Sequence, residues 1–487
     1  MNEITIAWIA LPFFVGFNIY LFPKLDRYLA LGMALVSLLY GSYVLLSSSA
    51  LNWQLLGNFG VILSVDSLSS YFILTNALIG AAVIIYCWNS SKTAFFYTQL
   101  IILHGSVNAV FICADFISLY VALEVISIAA FLLIAYSRTD RSIWVALRYL
   151  FVSNTVMLFY LIGAVLVYQA NSSFAFAGLK SAPREAIAFI FLGLLTKGGI
   201  FVSGLWLPLT HSEAETPVSA LLSGTVVNTG VFPLVRCALI VEEIQPVIQV
   251  FSIGTAILGI SYAIFEKDTK RMLASSTISQ LGFVMAAPSA AGFYALTHGL
   301  AKAALFLIAG NLPSRNIPEL KQIKIKKPMW VALAIASLSI SGFPLLSGFG
   351  AKVMALKGLV SWQSVVMSIT AIGTAIVFAK FIFLPVEEKQ QVPQTESEEG
   401  KQKINNGFWL ALILLLGMLV AANGLYYQAY TVDNLVKSLA TISVGWLAHL
   451  FIFQKITLKL PRMFEQFEHL IGVMSVVLAL LFWMVVG

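Results

Sequence analysis

The chain has 487 residues, of which 59% are hydrophobic and only 10% are charged, and its mean hydropathy is +0.90. A soluble domain carries about 25% charged residues, so this composition excludes a soluble globular protein and predicts an all-α polytopic membrane protein. The net charge of +7 is explained by basic loops that orient such a protein, so nucleic acid is not needed as a partner.

Apolar runs of about 20 residues recur from end to end and predict about 14–16 transmembrane helices. The candidate spans are 4–22, 27–46, 67–88, 94–113, 115–136, 144–168, 187–208, 216–240, 247–265, 272–288, 290–310, 329–358, 361–385, 407–428, 434–453 and 466–486. Lys and Arg concentrate in the loops that follow odd-numbered spans, whereas the even-numbered loops hold only Lys180 and Arg184. The positive-inside rule therefore predicts that both termini lie outside the cell.

The first four spans carry almost no charge, and His104 in the fourth is the exception. This histidine fits either a helix-packing role or a place in a proton-uptake path. Cys87, Cys113 and Cys237 lie in or beside apolar segments without CxxC spacing. We therefore expect no disulfide framework, no metal site and no cofactor.

The seventh span, FLGLLTKGGIFVSGLWLP (191–208), carries Lys197 near its middle. A lysine at mid-membrane costs about 3 kcal/mol, and the two glycines that follow it loosen the helix. Glu124 in the fifth span is the only carboxylate deep inside any predicted span. We predict a buried Glu124–Lys197 pair, which marks a proton pathway or else is a static ion pair that locks two helices together.

Two features follow this span. His211 lies in the polar stretch 209–218, which fits a solvated loop or a site of proton uptake. Asn228 lies in an eighth span rich in Ser and Thr. Its amide can hydrogen-bond water but cannot carry charge, so it either lines a path or joins neighbouring helices.

Lys270 and an eleventh span supply the next candidates. Lys270 follows the ninth span and either begins a proton path or obeys the positive-inside bias. Tyr294, His298 and Lys302 are spaced i, i+4, i+8 and therefore share one helix face. A polar face within an apolar helix must face the protein interior or water, and a histidine beside a lysine is the composition of a proton relay.

The twelfth span is interrupted at SGFPLLSGFGAK (341–352), where glycines and a proline precede Lys352. Two interrupted helices in corresponding positions indicate an inverted-repeat transporter. The expected domains are N-terminal helices (1–93), a first inverted repeat with a proton half-channel (94–240), a second inverted repeat (247–385), an acidic cytoplasmic linker (386–406) and C-terminal helices (407–487).

Together these motifs resemble the antiporter-like subunits shared by respiratory complex I, membrane-bound hydrogenases and multisubunit Mrp-type cation/proton antiporters. The motifs are TKGGIF, LWLPLTHSEAETPVSALLSG, DTKRMLASSTISQLGF, THGLAKAALFLIAG and SGFPLLSGFGAK, and the second is most similar to Mrp D-type subunits. The resemblance implies two inverted five-helix repeats, each with a broken helix, in a prokaryotic plasma membrane. It further implies that Glu124 and Lys197 form a modulating charge pair, that His298 and Lys302 lie on a central hydrophilic axis, and that Lys352 ends the second half-channel.

The sequence departs from the family at three positions. Many members have a second lysine in the eighth span, where this chain has Asn228. Val202 replaces a usual proline and Leu209 replaces a usual aspartate. Transfer from Lys197 toward the centre therefore requires a water wire around Asn228, or else the route is weakened or lost.

By this resemblance, the chain is a proton-translocating subunit of an Mrp-type Na⁺(K⁺)/H⁺ antiporter and thus part of a secondary transporter. Its partners would be other hydrophobic subunits, lipids, protons and a monovalent cation. One alternative is a proton-pumping membrane subunit of a complex I-like oxidoreductase or membrane hydrogenase, in which the assembly is a translocase. A second is a scaffold subunit that has lost transport.

Overall fold

The computed structural model describes residues 2–47, 50–57, 60–387, 406–456, 458 and 460–486, which form twenty α-helices and one hairpin. The first part contains α1 (Asn2–Leu21), α2 (Asp26–Ser47), β1 (Leu51–Gln54), β2 (Ile62–Val65), α3 (Ser67–Tyr86), α4 (Ala94–Val110), α5 (Phe116–Ile134) and α6 (Asp140–Asn171). The middle part contains α7 (Arg184–Lys197), α8 (Leu207–Glu213), α9 (Thr216–Leu221), α10 (Asn228–Ile240), α11 (Gln245–Phe265), α12 (Thr269–Ala286) and α13 (Ala291–Ala309). The last part contains α14 (Ile317–Leu320), α15 (Lys327–Ser341), α16 (Ser347–Lys357), α17 (Ser361–Ile382), α18 (Asn406–Ala422), α19 (Val432–Ala448) and α20 (Phe467–Val485).

The prediction of an all-α polytopic membrane protein is confirmed. Thirteen helical segments of the described chain are long and apolar enough to cross a membrane, and each of the sixteen predicted spans coincides with helix. Helices suit this environment because they satisfy their backbone hydrogen bonds internally. The antiparallel pair of β1 and β2 was not predicted from the sequence. Most of the predicted linker, residues 388–405, lies outside the described residues.

Helix α12 is the least apolar of the predicted spans, yet all its residues are buried. It packs most extensively against α11 and also contacts α8 and α13. A helix surrounded by protein needs no lipid-compatible face, so its Ser, Thr and Gln side chains can be satisfied by neighbouring helices. The buried helices α12 and α13 thus form the centre of the molecule.

Both predicted helix interruptions are present. Helix α7 ends at Lys197, and the chain turns through Gly199 (φ +69°) and Phe201 (φ +51°) before α8. Helix α15 ends at Ser341, and the chain turns through Gly342 (φ +85°) before α16. The inverted relation between the two halves stays a prediction.

The C-terminal helices connect both halves. Helix α19 packs on α17, and α20 packs on α7. Residues 460–466, here named the C-terminal strap, are held by ion pairs between Arg271 and Glu465 and between Arg462 and Glu266. The strap therefore anchors the start of α20 to the turn between α11 and α12.

Candidate functional site

Lys197 lies at the last residue of α7, directly before the helix break, and is 6% exposed. Its Nζ donates to the carbonyl oxygen of Leu123, at 3.2 Å, and to the hydroxyl of Ser127, both on α5. The lysine is thus bound by neutral oxygen atoms of the helix that carries Glu124.

Glu124 and Lys197 lie on adjoining helices but do not form an ion pair within 4.0 Å, because α5 presents Leu123 and Ser127 to the amine. Glu124 is partly exposed and instead borders a groove of about 730 Å³ on the surface of α5 and α6. The buried Oε1 of Glu124 has no hydrogen-bond partner among the described residues. The predicted pair is therefore a pair of neighbouring charges whose carboxylate faces this groove.

Lys302 is the second buried lysine and is 0% exposed. Its Nζ donates to the carbonyl oxygen of Leu273 at 2.8 Å and to the hydroxyl of Ser276, both on α12. The Phe378 ring centre lies 5.4 Å from the same nitrogen. Lys302 therefore repeats the arrangement of Lys197, in which one backbone carbonyl and one serine of a neighbouring helix accept from the amine.

Tyr294 and His298 share the buried face of α13 with Lys302, as the spacing predicted. The Tyr294 hydroxyl donates to Gln280 Oε1 on α12 at 2.8 Å. A cavity of about 10 Å³ separates Tyr294 and His298 from Ser339 on α15. This volume suits about one water molecule, and both His298 ring nitrogens have no hydrogen-bond partner within the described part of the chain.

Asn228 lies between the α7 break, which carries Lys197, and the part of α13 that carries His298. It follows a π-helical turn over Leu222–Val226, and its Nδ2 donates to Gly224 O at 2.9 Å. Gly224 packs on Gly299 of α13, and Gly230 packs on Gly198 at the α7 break, so closely that a Cβ on Gly230 would lie 2.2 Å from Gly198 N. The buried Oδ1 of Asn228 has no partner in the described chain. Single π turns frequently occur at functional sites.

His211 is 0% exposed and lies in α8 rather than in a solvated loop. Its ring centre lies 6.1 Å from that of Phe306, one helical turn beyond Lys302 on α13. Ser219 Oγ donates to His211 O at 2.7 Å, and Lys270 Nζ lies 3.4 Å from the same hydroxyl. Lys270 also donates to Ala214 O at 3.0 Å, so it is bound inside the protein rather than free at the surface.

Lys352 lies in α16, after the second helix break, and is 7% exposed. Its Nζ donates to Ser341 O at 3.2 Å. The Phe283 ring centre is 5.7 Å from this nitrogen, and that ring stacks on Tyr294 at 5.8 Å. Lys352 is thus joined to the α13 face by aromatic contacts.

His104 belongs to a separate polar cluster among α1–α4. Its Nε2 lies 2.8 Å from Ser37 Oγ and 3.2 Å from Asn108 Nδ2. Asn76 Nδ2 donates to His104 O at 3.0 Å and to Asn108 Oδ1 at 2.8 Å. The structure therefore does not bring His104 together with the other candidate residues.

The buried lysines and the two broken helices lie in a region that is shared with known proteins. A family model described as "NADH:quinone oxidoreductase/Mrp antiporter, TM" matches residues 113–378, more than half of the chain. The chain belongs to this family. The matched region begins just before α5 and ends within α17, so it contains all the candidate residues except His104.

Subunits of two kinds of assembly are similar to the chain. It is 25% identical to the D subunit of the Na(+)/H(+) antiporter of Alkalihalophilus pseudofirmus over 465 residues, which cover 86% of this chain and 94% of that one. It is 28% identical to the N subunit of the NADH-quinone oxidoreductase of Desulforudis audaxviator over 424 residues, covering 78% and 84% of the two chains.

Two solved structures share the fold at 18% sequence identity. A chain of an archaeal membrane-bound sulfane sulfur reductase matches with a TM-score of 0.74, covering 92% of this chain and 100% of that one. A chain of the Mrp complex from Dietzia sp. matches with a TM-score of 0.73, covering 93% and 99%. The fold shared with these two structures therefore extends over most of the chain.

Sequence reasoning missed the serines that bind the lysines of this family member. Residue type alone does not distinguish Ser127 and Ser276 from other helical serines. In the structure their hydroxyl groups accept hydrogen bonds from Nζ of Lys197 and Lys302, respectively. The signal in the sequence was one of position, since Ser127 follows Glu124 by three residues and Ser276 lies in the Ser/Thr-rich α12. Helix spacing alone does not reveal which neighbouring helix supplies a partner.

Proposed function

We propose that this chain is the proton-translocating subunit of a multisubunit Mrp-type antiporter that exchanges Na⁺ or K⁺ for H⁺. The observation that carries the proposal is the binding of Lys197, Lys302 and Lys352 by neutral oxygen atoms within the helical bundle. An ammonium without a carboxylate partner is expensive inside a membrane, so such amines suit sites that gain and lose protons.

Protons reach the centre from the cytoplasmic side in this proposal. The supporting contacts run from Lys270 to the Ser219 hydroxyl and from there to the backbone carbonyl of His211, whose ring lies beside Phe306 on α13. A second uptake route begins at Glu124 and Lys197, where a change of charge on one group alters the proton affinity of the other.

The crossing uses water around Asn228 and then His298 and Lys302, before release near Lys352. The Oδ1 of Asn228 and the ring nitrogens of His298, which have no hydrogen-bond partner among the described residues, are acceptors or donors that such water requires. Tyr294 positions the His298 region through its bond to Gln280. Coupled movement of Na⁺ or K⁺ takes place elsewhere in the assembly.

The test is ion exchange by the complete complex reconstituted in vesicles, with proton movement followed by a pH-sensitive dye. Lys302→Ala is expected to abolish exchange while the complex still assembles. Lys321→Ala removes an exposed lysine after α14 and serves as the matched control, with unchanged exchange expected. Undiminished exchange in Lys302→Ala would overturn the proposal.

A second candidate function is proton pumping in a quinone oxidoreductase. It is supported by the similarity to the N subunit of such an enzyme and to a chain of a respiratory sulfane sulfur reductase. Purification of the intact assembly separates the two: partner proteins with iron–sulfur clusters support the oxidoreductase, and small hydrophobic partner proteins support the antiporter.

A third candidate is a scaffold subunit without transport. Its support is Asn228, which takes the place of a second lysine and whose region is tightly packed by Gly224 and Gly230. Assembly of the complex with full ion exchange after Lys302→Ala supports this candidate over both others.

A further inference from the structure

A cavity of about 520 Å³ lies beside the second helix break and contains Lys352 in its wall. Its other walls come from α17 and α19. The polar and charged lining residues are Ser341, Lys352, Lys357, Ser364, Ser368, Asn434, Lys437, Ser438 and Thr441. Helix α19 therefore contributes four of the polar groups, although the family match ends within α17.

Helix α19 runs parallel to α17, so both helices start at the same end of the molecule. Gly445 packs on Ala375, and directly after the C-terminal ends of both helices the His449 and Phe383 rings stack 6.3 Å apart. The α17 start follows the α16 end by only a short turn. The cavity therefore opens where α16 ends and where α17 and α19 begin.

The polar residues of α19 form one face of that helix. Asn434, Lys437, Ser438 and Thr441 are spaced i, i+3, i+4, i+7, whereas exposed Val436 and Leu439 lie on the other side. Thr441 lies nine residues into α19, which corresponds to a depth of about 13 Å at 1.5 Å per residue. Ser438 Oγ donates to Gly342 O at 2.6 Å and so fixes this face to the helix break.

Positive charge dominates the cavity. Lys352, Lys357 and Lys437 line it, and Asp433 forms an ion pair with Lys437 at 2.6 Å near the start of α19. The lysines oppose the entry of any free cation, and no carboxylate among the described lining residues is available to coordinate Na⁺ or K⁺. A proton differs because Lys352 can exchange it directly with hydrogen-bonded water and hydroxyl groups, so that it never has to enter the cavity as a free ion.

We propose that α19 forms the outer wall of a water-filled vestibule that connects Lys352 to the aqueous phase and excludes Na⁺ and K⁺. The proton role of the vestibule rests on the proposed function, but its water access and charge selectivity do not. Asn434 and Lys437 lie at the mouth of the vestibule, and Thr441 lies deeper inside it. Helix α19 is therefore a functional part of the subunit rather than a peripheral helix.

The test is cysteine accessibility in the full complex in membrane vesicles. Thr441→Cys and Asn434→Cys place thiols at the depth and the mouth, and Leu439→Cys places one on the lipid side at a similar depth. Two membrane-impermeant methanethiosulfonate reagents, one anionic and one cationic, are applied to vesicles of either orientation. The labelling rate of each cysteine variant is divided by the rate at which the same reagent modifies a free small thiol, so that differences in intrinsic reactivity cancel. The chain without an added cysteine measures any labelling of its three buried cysteines.

We expect both vestibule thiols to react from the outer side only, with the anionic reagent several-fold faster than the cationic one. Leu439→Cys should not react, and modification of Thr441→Cys should block exchange. Inert thiols at both vestibule positions overturn the vestibule, and equal or reversed charge preference overturns its exclusion of cations.

The outcomes are separable from the proposed function. Labelled vestibule thiols together with full exchange in Lys302→Ala reject the proposed proton path and leave the vestibule intact. The vestibule is rejected as the proton route to Lys352 if its thiols are labelled and exchange is unchanged, while Lys302→Ala does inactivate the complex.

Discussion

Oxygen atoms without formal charge hold the buried lysines of this protein. Carbonyl groups and serine hydroxyls accept from Lys197, Lys302 and Lys270, and a carbonyl alone accepts from Lys352. A fixed carboxylate partner would hold the charged form permanently, whereas neutral acceptors stabilise the amine in either state. The serines are therefore expected to tune proton transfer as well as packing.

Removal of such a serine is the first prediction. Ser127→Ala deletes one of two acceptors of Lys197, and a hydrogen bond to a charged group contributes about 1.5–3 kcal/mol. We expect exchange in vesicles to fall at least several-fold without loss of assembly. Ser261→Ala on α11, whose hydroxyl bonds its own helix at Ile257 O, should leave exchange unchanged. Equal rates in both variants would show that the hydroxyl is dispensable.

Asn228 gives the second prediction. Asn228→Leu keeps the approximate shape but removes the amide, so the hydrogen bond to Gly224 O is lost and no Oδ1 remains to bind water. We expect exchange to be lost in this variant and retained in Asn228→Lys, which introduces a titratable amine at this position. Dye-monitored exchange in vesicles measures both. Normal rates in Asn228→Leu would place the proton route elsewhere.

At the scale of elements, the helix breaks depend on close backbone approach. A Cβ on Gly348 would lie 1.8 Å from the carbonyl oxygen of Ser339, so the α15–α16 break cannot form around a larger residue without movement. This break also brings Ser341 to Lys352 and Gly342 to Ser438. Its geometry thus supports both the Lys352 site and the attachment of α19.

Gly348→Ala is therefore the third prediction. Overpacking usually costs about 1–3 kcal/mol, and here the obstacle is backbone. We expect a clear decrease in the Tm of the purified complex and loss of exchange. Gly417→Ala on α18 is the matched control, because no atom lies within 4 Å of its Cβ position and alanine favours helix. A Tm equal to that of the control would contradict the packing argument.

Most of the membrane spans and both helix breaks were predictable from the sequence. Apolar runs identified every long span, and glycine with a mid-span lysine identified both breaks, because each follows from local chemistry. The burial of His211 in α8 and the vestibule face of α19 were not predictable in this way. Both depend on which distant helices pack together, and a polar stretch such as 209–218 looks the same in a loop and in a buried helix.

At the scale of the whole molecule, the C-terminal strap connects α20 to the turn between α11 and α12. Glu266 binds Arg462 through both carboxylate oxygens, at 3.1 and 3.0 Å, and accepts from the backbone N–H of Lys267 at 2.8 Å. Burial raises the pKa of the Glu266 carboxyl, but the backbone N–H groups of Asp268 and Lys267 and the Arg462 and Arg271 guanidinium groups outweigh it and hold that pKa below its usual range.

The fourth prediction concerns acid. Because its folded-state pKa is lowered, Glu266 contributes stability above its unfolded pKa of about 4.3, and this contribution is lost as pH falls through the folded value. We expect Glu266→Gln to lower the Tm of the complex at pH 7 and the difference from the unmodified complex to shrink on acidification. Glu243→Gln, at an exposed turn, should behave like the unmodified protein at both pH values. A pH-independent difference would contradict the charge-based explanation.

Helix α12 has a consequence for the biogenesis of the protein. Its first turn contains Lys270 and Arg271, and the helix carries many hydroxyl side chains and is buried on every side by protein. Such a segment partitions poorly into lipid by itself, because charged residues oppose insertion. It is therefore expected to wait at the membrane insertion machinery until α13 emerges, so that α11, α12 and α13 enter the bilayer as one cooperative unit.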